Sequence, residues 1–381
     1  MSMLTSFWSL AGYILPFLFV LSLVVFFHEL GHFLIGRWCG VKVETFSLGF
    51  GPELFGFNDR YGTHWRVAAL PLGGYVKFLG DANNTSMPDE AALEAMSPQE
   101  REVSFSTQKV WKRAAIVAAG PIANFVLAIA IFGSIFYVHG RSILLPVVDT
   151  VAADSAAEAA GFQPGDFIVS IDGAKIDSFE DMQRIVQGAS DTQLLFVVDR
   201  AGKSVELVAT PQRRDVATPF GNARVGVLGV QSKAKPENWH VQTYSFPESV
   251  RLAGSETWYV VARTGSYLKG LVSGRESADQ LSGPIRIAEV SGEMAKIGLA
   301  ALLNLAAILS ISVGMLNLLP VPLLDGGHLV YYAVEAMRGK AMNERAQQFG
   351  FKIGIMLVTS LMIFATYNDI LRLTRQLMHW G

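Results

Sequence analysis

The sequence predicts a polytopic α-helical membrane protein with four transmembrane helices, an inserted α+β domain and a membrane-associated β-hairpin. Of its 381 residues, 51% are hydrophobic and only 17% are charged, with a mean hydropathy of +0.33. This composition is too apolar for an ordinary soluble enzyme. Four apolar stretches are also long enough to cross a bilayer. A net charge of −2 gives no basis for nucleic-acid binding, and the lone Cys39 excludes an internal disulfide.

The four apolar stretches lie at about 7–36, 114–139, 298–320 with an irregular continuation to about 336, and 352–372. Residues 1–36 contain no Lys or Arg, whereas basic residues follow the first stretch and separate the third from the fourth. By the positive-inside rule these loops are cytoplasmic, so both termini and the long 140–296 segment lie on the opposite side. The predicted domains are a first transmembrane helix (1–36), a cytoplasmic loop (37–113), a second transmembrane helix (114–140), an α+β domain (144–212), a linker with an amphipathic helix (213–296), a third, broken transmembrane segment (297–336) and a fourth transmembrane helix (350–375).

The first predicted helix carries the motif HExxH as His28, Glu29 and His32. On an α-helix the two histidines lie one turn apart on the same face, so both can bind one metal ion while Glu29 flanks it. Zinc in such a site is a Lewis acid that activates a bound water, and a neighbouring carboxylate takes the proton and passes it to the leaving amine. The motif falls in the second half of the helix, nearer the cytoplasmic face. A catalytic zinc usually has three protein ligands, so a third must come from elsewhere.

Chance is the alternative explanation of this motif, since a match of this kind arises in roughly one chain of this length in a hundred. The location of the motif argues against chance. Two histidines and a glutamate inside a membrane-length apolar segment are costly unless something compensates them, which makes them functional candidates.

The cytoplasmic loop contains an apolar, β-like stretch at 67–79 with a Pro- and Gly-rich turn in its middle. Two interpretations of this stretch remain open. It is either a hairpin that dips into the membrane beside the metal site or a soluble surface hairpin.

Residues 144–212 change to short alternating strands and helices. The pattern predicts strands at 146–151, 167–171, 193–199 and 204–210 and helices at 155–160 and 178–187. The turn from Gly161 to Asp166 matches the G-x-x-P-G-D turn of bacterial-type PDZ domains, which the pattern resembles; such domains bind extended peptides at a sheet edge. Beyond this module, a helix that begins near Pro247 is amphipathic, as expected either at a membrane interface or on a protein surface.

The third apolar stretch is interrupted by Leu319-Pro320-Val321-Pro322, which breaks helical hydrogen bonding at membrane depth. Asp325 follows the break, and pairing it with a zinc ion held by His28 and His32 removes the cost of burying both. His328 lies three residues further on. The residue types alone leave open whether Asp325 or His328 is the third ligand, or whether His328 supports Asp325.

HExxH in the first helix, Leu324-Asp325-Gly326 in the third and a PDZ-like module between them resemble the site-2 protease family of intramembrane zinc metalloproteases, most nearly its bacterial regulator-of-sigma-E type. The resemblance covers essentially the whole chain. It implies one Zn2+ per chain, bound by His28, His32 and Asp325, with Glu29 as general base. The best-known members of this type carry two tandem PDZ modules, whereas residues 213–243 are too short for a second one. The resemblance also implies a membrane-reentrant β-strand near the substrate, made of Gly73, Gly74, Tyr75, Val76, Lys77 and Phe78.

The resulting hypothesis is an intramembrane zinc endopeptidase that cuts within or near a single-pass transmembrane substrate. Since a helical peptide bond is shielded by its own hydrogen bonds, the substrate must unwind, and the strand at 73–78 is expected to hold it extended. Asn317 and Asn124 are candidate donors to the developing oxyanion, with a structural hydrogen bond between helices as the alternative for Asn124. The resemblance implies a pre-trimmed anti-sigma factor as substrate, a bacterial inner-membrane location, and a periplasmic PDZ-like module that filters or docks substrates.

Two alternatives come from other classes of protein. A membrane metal-binding or transport protein could use the same ligands, but transport requires ligands along a pathway, and other ionisable residues at membrane depth are few. The second alternative is a PDZ scaffold with a structural metal site. A closed structural site has no use for the adjacent Glu29.

Overall fold

The computed structural model describes residues 2–80, 95–218, 221–233, 238–273 and 283–378. The chain folds into two compact units. One comprises Met1–Gly133, Val250–Ser266 and Ser282–Gly381, and is called the membrane unit below. The other comprises Ser134–Ser249 and Tyr267–Leu281, and is called the inserted unit.

Within the described residues, four helices are long and apolar enough to cross a membrane, which confirms the predicted number. Their apolar parts are Ala11–Trp38, Val110–His139, Leu299–Asn317 and Arg345–Thr374, so each begins and ends close to the predicted stretch. The full helices are α1 (Ser2–Trp38), α3 (Val110–His139), α8 (Leu299–Asn317) and α10 (Glu344–Met378).

Helices α1 and α3 approach each other closely beside the HExxH motif. A Cβ on Gly31 would overlap the carbonyl oxygen of Ala119, and one on Gly120 would overlap the imidazole of His32. Only glycine leaves room at these two positions, so the sequence brings the two backbones into contact next to His32. Elsewhere along α1, the buried Val20 packs with Leu302 and Ala306 of α8.

A sheet of two long antiparallel strands follows α1: β1 (Val43–Asn58) and β2 (His64–Phe78). The predicted turn in the middle of 67–79 is therefore wrong, because this stretch belongs largely to one strand whose partner is the segment before it. The turn lies at 59–63 instead, where the Asp59 carboxylate accepts hydrogen bonds from the amides of Tyr61 and Thr63 at 2.9 and 3.0 Å. The register is irregular, since Phe46 has partners in both halves of β2, at Trp65 and Val76.

Among the other helices, α7 (Pro284–Ile297) lies where the sequence predicts a linker. The N-terminus of α7 is capped by Asp369 of α10, whose carboxylate accepts hydrogen bonds from the amides of Gly283 and Arg286 at 3.2 and 3.0 Å. The predicted amphipathic helix is confirmed as α6, and its placement at a membrane interface stays a prediction. The bounds are α2 (Pro98–Val103), α6 (Phe246–Val272), α7 (Pro284–Ile297) and α9 (Asp325–Arg338).

The inserted unit is built on a four-stranded antiparallel sheet in the order β6–β5–β7–β8. Its core includes Ile168, Phe196 and Val198, which are inaccessible to solvent. Two helices begin at Ser155 and Ser178, whose hydroxyl oxygens accept amide hydrogens of the first turn. The elements are β5 (Phe167–Ile171), β6 (Ala174–Lys175), β7 (Leu194–Arg200), β8 (Lys203–Ala209), α4 (Ala156–Ala159) and α5 (Phe179–Gly188).

These elements agree with the predicted ones to within a residue or two, with two exceptions. Of the predicted strand 146–151, only β4 (Thr150–Val151) is a strand, although Val147 forms a bridge with Phe167. The predicted linker from 213 to 243 is also wrong, because it contains strands, of which two pair with each other and two pair with the start of the unit. They are β9 (Gln212–Thr218) with β10 (Gly221–Val227), β11 (Val230–Gln231) with β4, and β12 (Trp239–Gln242) with β3 (Arg141–Leu144).

Candidate metal centre

Three predicted ligands, His28, His32 and Asp325, come together in the membrane unit. Nε2 of His28 lies 3.3 Å from Nε2 of His32, and Oδ2 of Asp325 lies 3.2 Å from the first and 3.6 Å from the second. Bonds of 2.0–2.1 Å to a tetrahedral zinc ion place two ligand atoms about 3.3–3.4 Å apart. The three atoms therefore form a triangle of the size that one face of a zinc tetrahedron requires.

The carboxylate of Asp325 supports this fit independently. Its Oδ2 atom is buried and, among the described residues, accepts no hydrogen bond. A buried acceptor without a partner is costly, and a cation at the centre of the triangle removes that cost. The two imidazoles and the carboxylate are also a donor set that suits zinc.

Helix α3 fixes the orientation of His32. Nδ1 of His32 lies 2.9 Å from the carbonyl oxygen of Ile116. A carbonyl oxygen only accepts, so Nδ1 carries the proton and Nε2 keeps the lone pair that a metal needs. Metal-binding histidines commonly donate their second nitrogen in this way.

Asn124, also on α3, has the corresponding role for His28. Its amide group lies 3.2 Å from Nδ1 of His28, and its Oδ1 atom is buried and has no hydrogen-bond partner in the part of the chain that the structure describes. A half-turn of the amide brings Oδ1 to Nδ1, where it accepts the imidazole proton and leaves Nε2 free for the metal. The backbone oxygen of Asn124 accepts a hydrogen bond from Ser310 of α8 at 2.9 Å, which ties the third helix to the same point.

Asp325 reaches the site because the third span is interrupted, as the sequence predicts. Helix α8 ends at Asn317 and α9 begins at Asp325. The two glycines that follow Asp325 pack directly on the interruption, since a Cβ on Gly326 would overlap the carbonyl oxygens of Leu318 and Leu319. Asp325 lies in the first turn of α9, where the helix dipole favours a negative charge.

The three ligands line a cleft of about 310 Å³. Glu29 lies in its wall, and its carboxylate accepts a hydrogen bond from the backbone amide of Val76 in β2. Gly74 is equally close, because a Cβ there would lie 3.1 Å from Cγ of Glu29. The predicted base, the three predicted ligands and one strand of the sheet thus meet at a single cavity.

The cleft contains most of the predicted substrate residues. Gly73, Gly74, Tyr75, Val76, Phe78, Asn317 and His328 line it. Lys77 is not brought to the cleft, because it pairs with Glu44 at 2.9 Å. Asn124 contacts His28 instead of lining the cavity. Sequence reasoning missed the apolar wall, which consists of Val25, Ile116, Val117, Val313, Leu323 and Leu324.

Residues 16–361 match Peptidase family M50, which is most of the chain. The chain belongs to this family and is a zinc metalloendopeptidase, and its four candidate spans make it a multi-pass membrane protein. This confirms the resemblance to site-2 proteases at the level of the family.

Relatives cover nearly the full length. The chain is 50% identical over 362 residues to a protein of Agrobacterium fabrum, covering 95% of this chain and 96% of that protein. It is 51% identical over 360 residues to a protein of Rhizobium meliloti, covering 94% and 96%. Both relatives are named as zinc metalloproteases, and their names mark this assignment as an inferred one. Metalloprotease MmpA of Caulobacter vibrioides is 40% identical over 378 residues, covering 93% and 94%.

Proposed function

We propose that this protein is an intramembrane endopeptidase that cuts single-pass membrane proteins, with His28, His32 and Asp325 as zinc ligands and Glu29 as general base. The observation that carries the proposal is the triangle of ligand atoms, 3.2–3.6 Å apart, in the wall of a cleft beside Glu29. A metal-binding or scaffold protein has no need of a carboxylate base next to three ligands in an open cavity.

Different side chains of the cleft carry out different parts of the proposed peptide hydrolysis. Bound zinc supplies a Lewis acid that activates a water molecule. Glu29, held by the Val76 amide, takes the proton from that water and returns it to the leaving nitrogen. Asn317 lines the same cavity and is the proposed donor to the developing oxyanion. Asn124, the other predicted donor, is already engaged with His28.

The strand next to Glu29 is suited to bind a substrate segment in an extended conformation. The Val76 amide points into the cleft, and in a strand the backbone groups of Gly74 and Phe78 point the same way. A transmembrane helix must unwind before a peptide bond in it can be cut. An unwound segment could then pair with this edge of β2.

The proposed topology follows from the charge distribution. Arg37 and Lys42 follow the HExxH half of α1, which supports an active site towards the cytoplasmic side of a bacterial inner membrane. The inserted unit then lies in the periplasm. Its antiparallel sheet and its Gly161–Asp166 turn support a PDZ-like module that filters or docks substrates, such as an anti-sigma factor that another protease has already trimmed.

Cleavage of a model single-pass substrate in liposomes tests the chemistry. Glu29→Gln should reduce cleavage at least about 1,000-fold, within the range that a general base contributes, while retaining about one zinc ion per chain. His28→Ala and His32→Ala should lose both the activity and the metal. Full activity in Glu29→Gln would exclude the proposed mechanism.

A second arm of the experiment tests the filter. Leu144 and Trp239 are paired neighbours on β3 and β12, so replacing residues 145–238 by Asn-Gly joins them as a short hairpin. This chain should cut an untrimmed substrate with a large periplasmic domain that the full chain leaves intact. It should cut the trimmed substrate at an unchanged rate. If cleavage of the trimmed substrate disappears while zinc remains bound, the module docks substrates and does not filter them.

A further inference from the structure

Helix α3 supplies none of the three proposed ligands, yet it contacts each element that does. Ile116 holds His32 and Asn124 holds His28, both on α1, at 2.9 and 3.2 Å. The third contact reaches α9, where Nη2 of Arg113 lies 2.7 Å from Oε1 of Glu335. The helix thus touches both ligand-bearing elements through polar groups.

The third contact lies on the same face of α9 as the ligand. Asp325, His328, Tyr332 and Glu335 are spaced by three, four and three residues, which puts them on one side of an α-helix. The guanidinium of Arg113 lies 5.0 Å from the ring centroid of Tyr332, besides pairing with Glu335. The side chains of Arg113 and Glu335 are only 14% and 16% exposed, and Tyr332 is part of the buried core around Ile116 and Val117.

Helix α9 needs such a constraint, because the segment before it is irregular and does not continue the helix α8. A side-chain oxygen lies roughly 5–6 Å from a helix axis, so a rotation of about 10° moves it by about 1 Å. Metal–ligand distances tolerate only about 0.2 Å. The rotation of α9 must therefore be fixed more tightly than packing around a single turn provides.

We propose that Arg113 and Glu335 are positioning residues that fix the rotation of α9 and thereby the place of the Asp325 carboxylate. The inference rests on the ligand set proposed above. Because Glu335 and Asp325 are on the same rigid helix, zinc binding and the Arg113–Glu335 ion pair stabilise each other.

Zinc affinity of the full chain in detergent, measured by competition with a chromophoric chelator, tests the proposal. Glu335→Gln and Arg113→Gln should each weaken zinc binding about tenfold, the lower end of the effect of removing an outer partner of a metal ligand. The exchanged pair Arg113→Glu with Glu335→Arg should recover affinity to within about threefold of the wild type. Glu289→Gln is the matched control, since Glu289 of α7 is 24% exposed and pairs with Arg372 of α10 at 2.6 Å, as well as with Arg286 of its own helix at 3.1 Å. It should leave zinc affinity unchanged.

The increase in Tm on adding zinc separates positioning from mere structural support. A structural role lowers the Tm of the zinc-free and zinc-loaded chains equally, whereas a positioning role reduces the increase that zinc produces. Unchanged affinity in Glu335→Gln, or an equal loss of Tm in both states, overturns the proposal. If the exchanged pair does not fold, the two single variants decide. Asp325→Ala is measured in parallel. If Asp325→Ala keeps the zinc affinity of the wild type, the ligand assignment fails. If Asp325→Ala loses zinc but Glu335→Gln keeps the wild-type affinity, only the positioning role fails.

Discussion

An aspartate in each unit has a carboxylate oxygen that is shielded from solvent, and the two carboxylates are satisfied in opposite ways. Asp166 in the inserted unit is inaccessible to solvent, and its carboxylate accepts hydrogen bonds from Nε and Nη2 of Arg200 at 2.7 and 2.8 Å and from the Gln163 amide at 2.9 Å. In the membrane unit, Oδ2 of Asp325 accepts no hydrogen bond among the described residues. Instead it faces two imidazole nitrogens within 3.6 Å.

The difference shows what distinguishes a carboxylate with a structural role from one that has an acceptor left for a cation. The Asp166 carboxylate is neutralised by one fixed guanidinium, which leaves no function for a further ion. The Oδ2 atom of Asp325, in contrast, accepts no hydrogen bond among the described residues, and it converges with the Nε2 atoms of His28 and His32 on one point. Burial of a charged group does not by itself identify a site; burial with converging, unused acceptors does.

The largest expected effect is the loss of zinc when the unsatisfied carboxylate is removed. Asp325→Ala should lower zinc affinity more than about 100-fold, beyond the loss caused by removing an outer partner. His328 also lines the cleft, but it is not one of the three grouped ligands, so His328→Ala should retain zinc to within about tenfold. Zinc content and chelator competition on purified protein measure both. The opposite ranking would make His328 the ligand.

The next effect concerns the backbone donor beside the base. Val76→Pro removes the amide that holds Glu29 and interrupts the edge of β2, so cleavage should fall about tenfold to 100-fold while zinc content is unchanged. Val76→Ala is the control, because it keeps the amide. Initial rates on the trimmed single-pass substrate compare the two. Equal rates in folded Val76→Pro would mean that neither the base nor the substrate uses this strand.

The smallest effect is on stability and belongs to the satisfied carboxylate. Burial alone would raise the pKa of Asp166, but the hydrogen bonds from Arg200 and Gln163 outweigh it and lower the pKa below its ordinary value. A lowered pKa in the folded state gives stability that is present above the unfolded-state value of about 3.9 and is lost as the pH falls towards the folded-state value. Asp166→Asn should therefore destabilise the inserted unit by about 2 kcal/mol at neutral pH and leave zinc binding unchanged.

Hydrogen exchange of the β5 amides in the full chain measures this loss. Protection should fall below about pH 4 in the wild type, and this step should be weaker in Asp166→Asn. Asp177→Asn is the control, because the pair of Asp177 with Lys175 is exposed on both sides and contributes little. Equal protection in all three chains would mean that the Arg200 pair has no net effect on stability.

The sequence was sufficient wherever a signal lies within one element. The spacing of His28 and His32 predicts a shared face, four apolar runs predict four spans, and a charge after a helix break at membrane depth makes Asp325 a candidate ligand, with His328 as the alternative. The predicted N-terminus of α5 at Ser178 is likewise a local pattern. These features depend on neighbours a few residues apart.

The sequence was insufficient wherever distant segments pair. The segment of β1 contains Gly49, Gly51, Pro52 and Gly56, which is a loop-like composition, and it is a strand because β2 pairs along it. The partner of His32 is the carbonyl of Ile116, a backbone atom that no side-chain pattern identifies. Lys77 was assigned to the cleft with its neighbours because the sequence does not reveal its ion pair with Glu44 of the partner strand.

Asp325 follows the interruption between α8 and α9, late in the chain, and this position bears on when the proposed metal centre is completed. A chain that is made from its N-terminus inserts α1, with Glu29 and two proposed ligands, long before Asp325 is synthesised. Two imidazoles alone hold zinc weakly, so an unfinished copy has no complete metal centre. With the proposed ligand set, the order of the elements along the chain therefore keeps an unfinished copy inactive until Asp325 reaches the membrane.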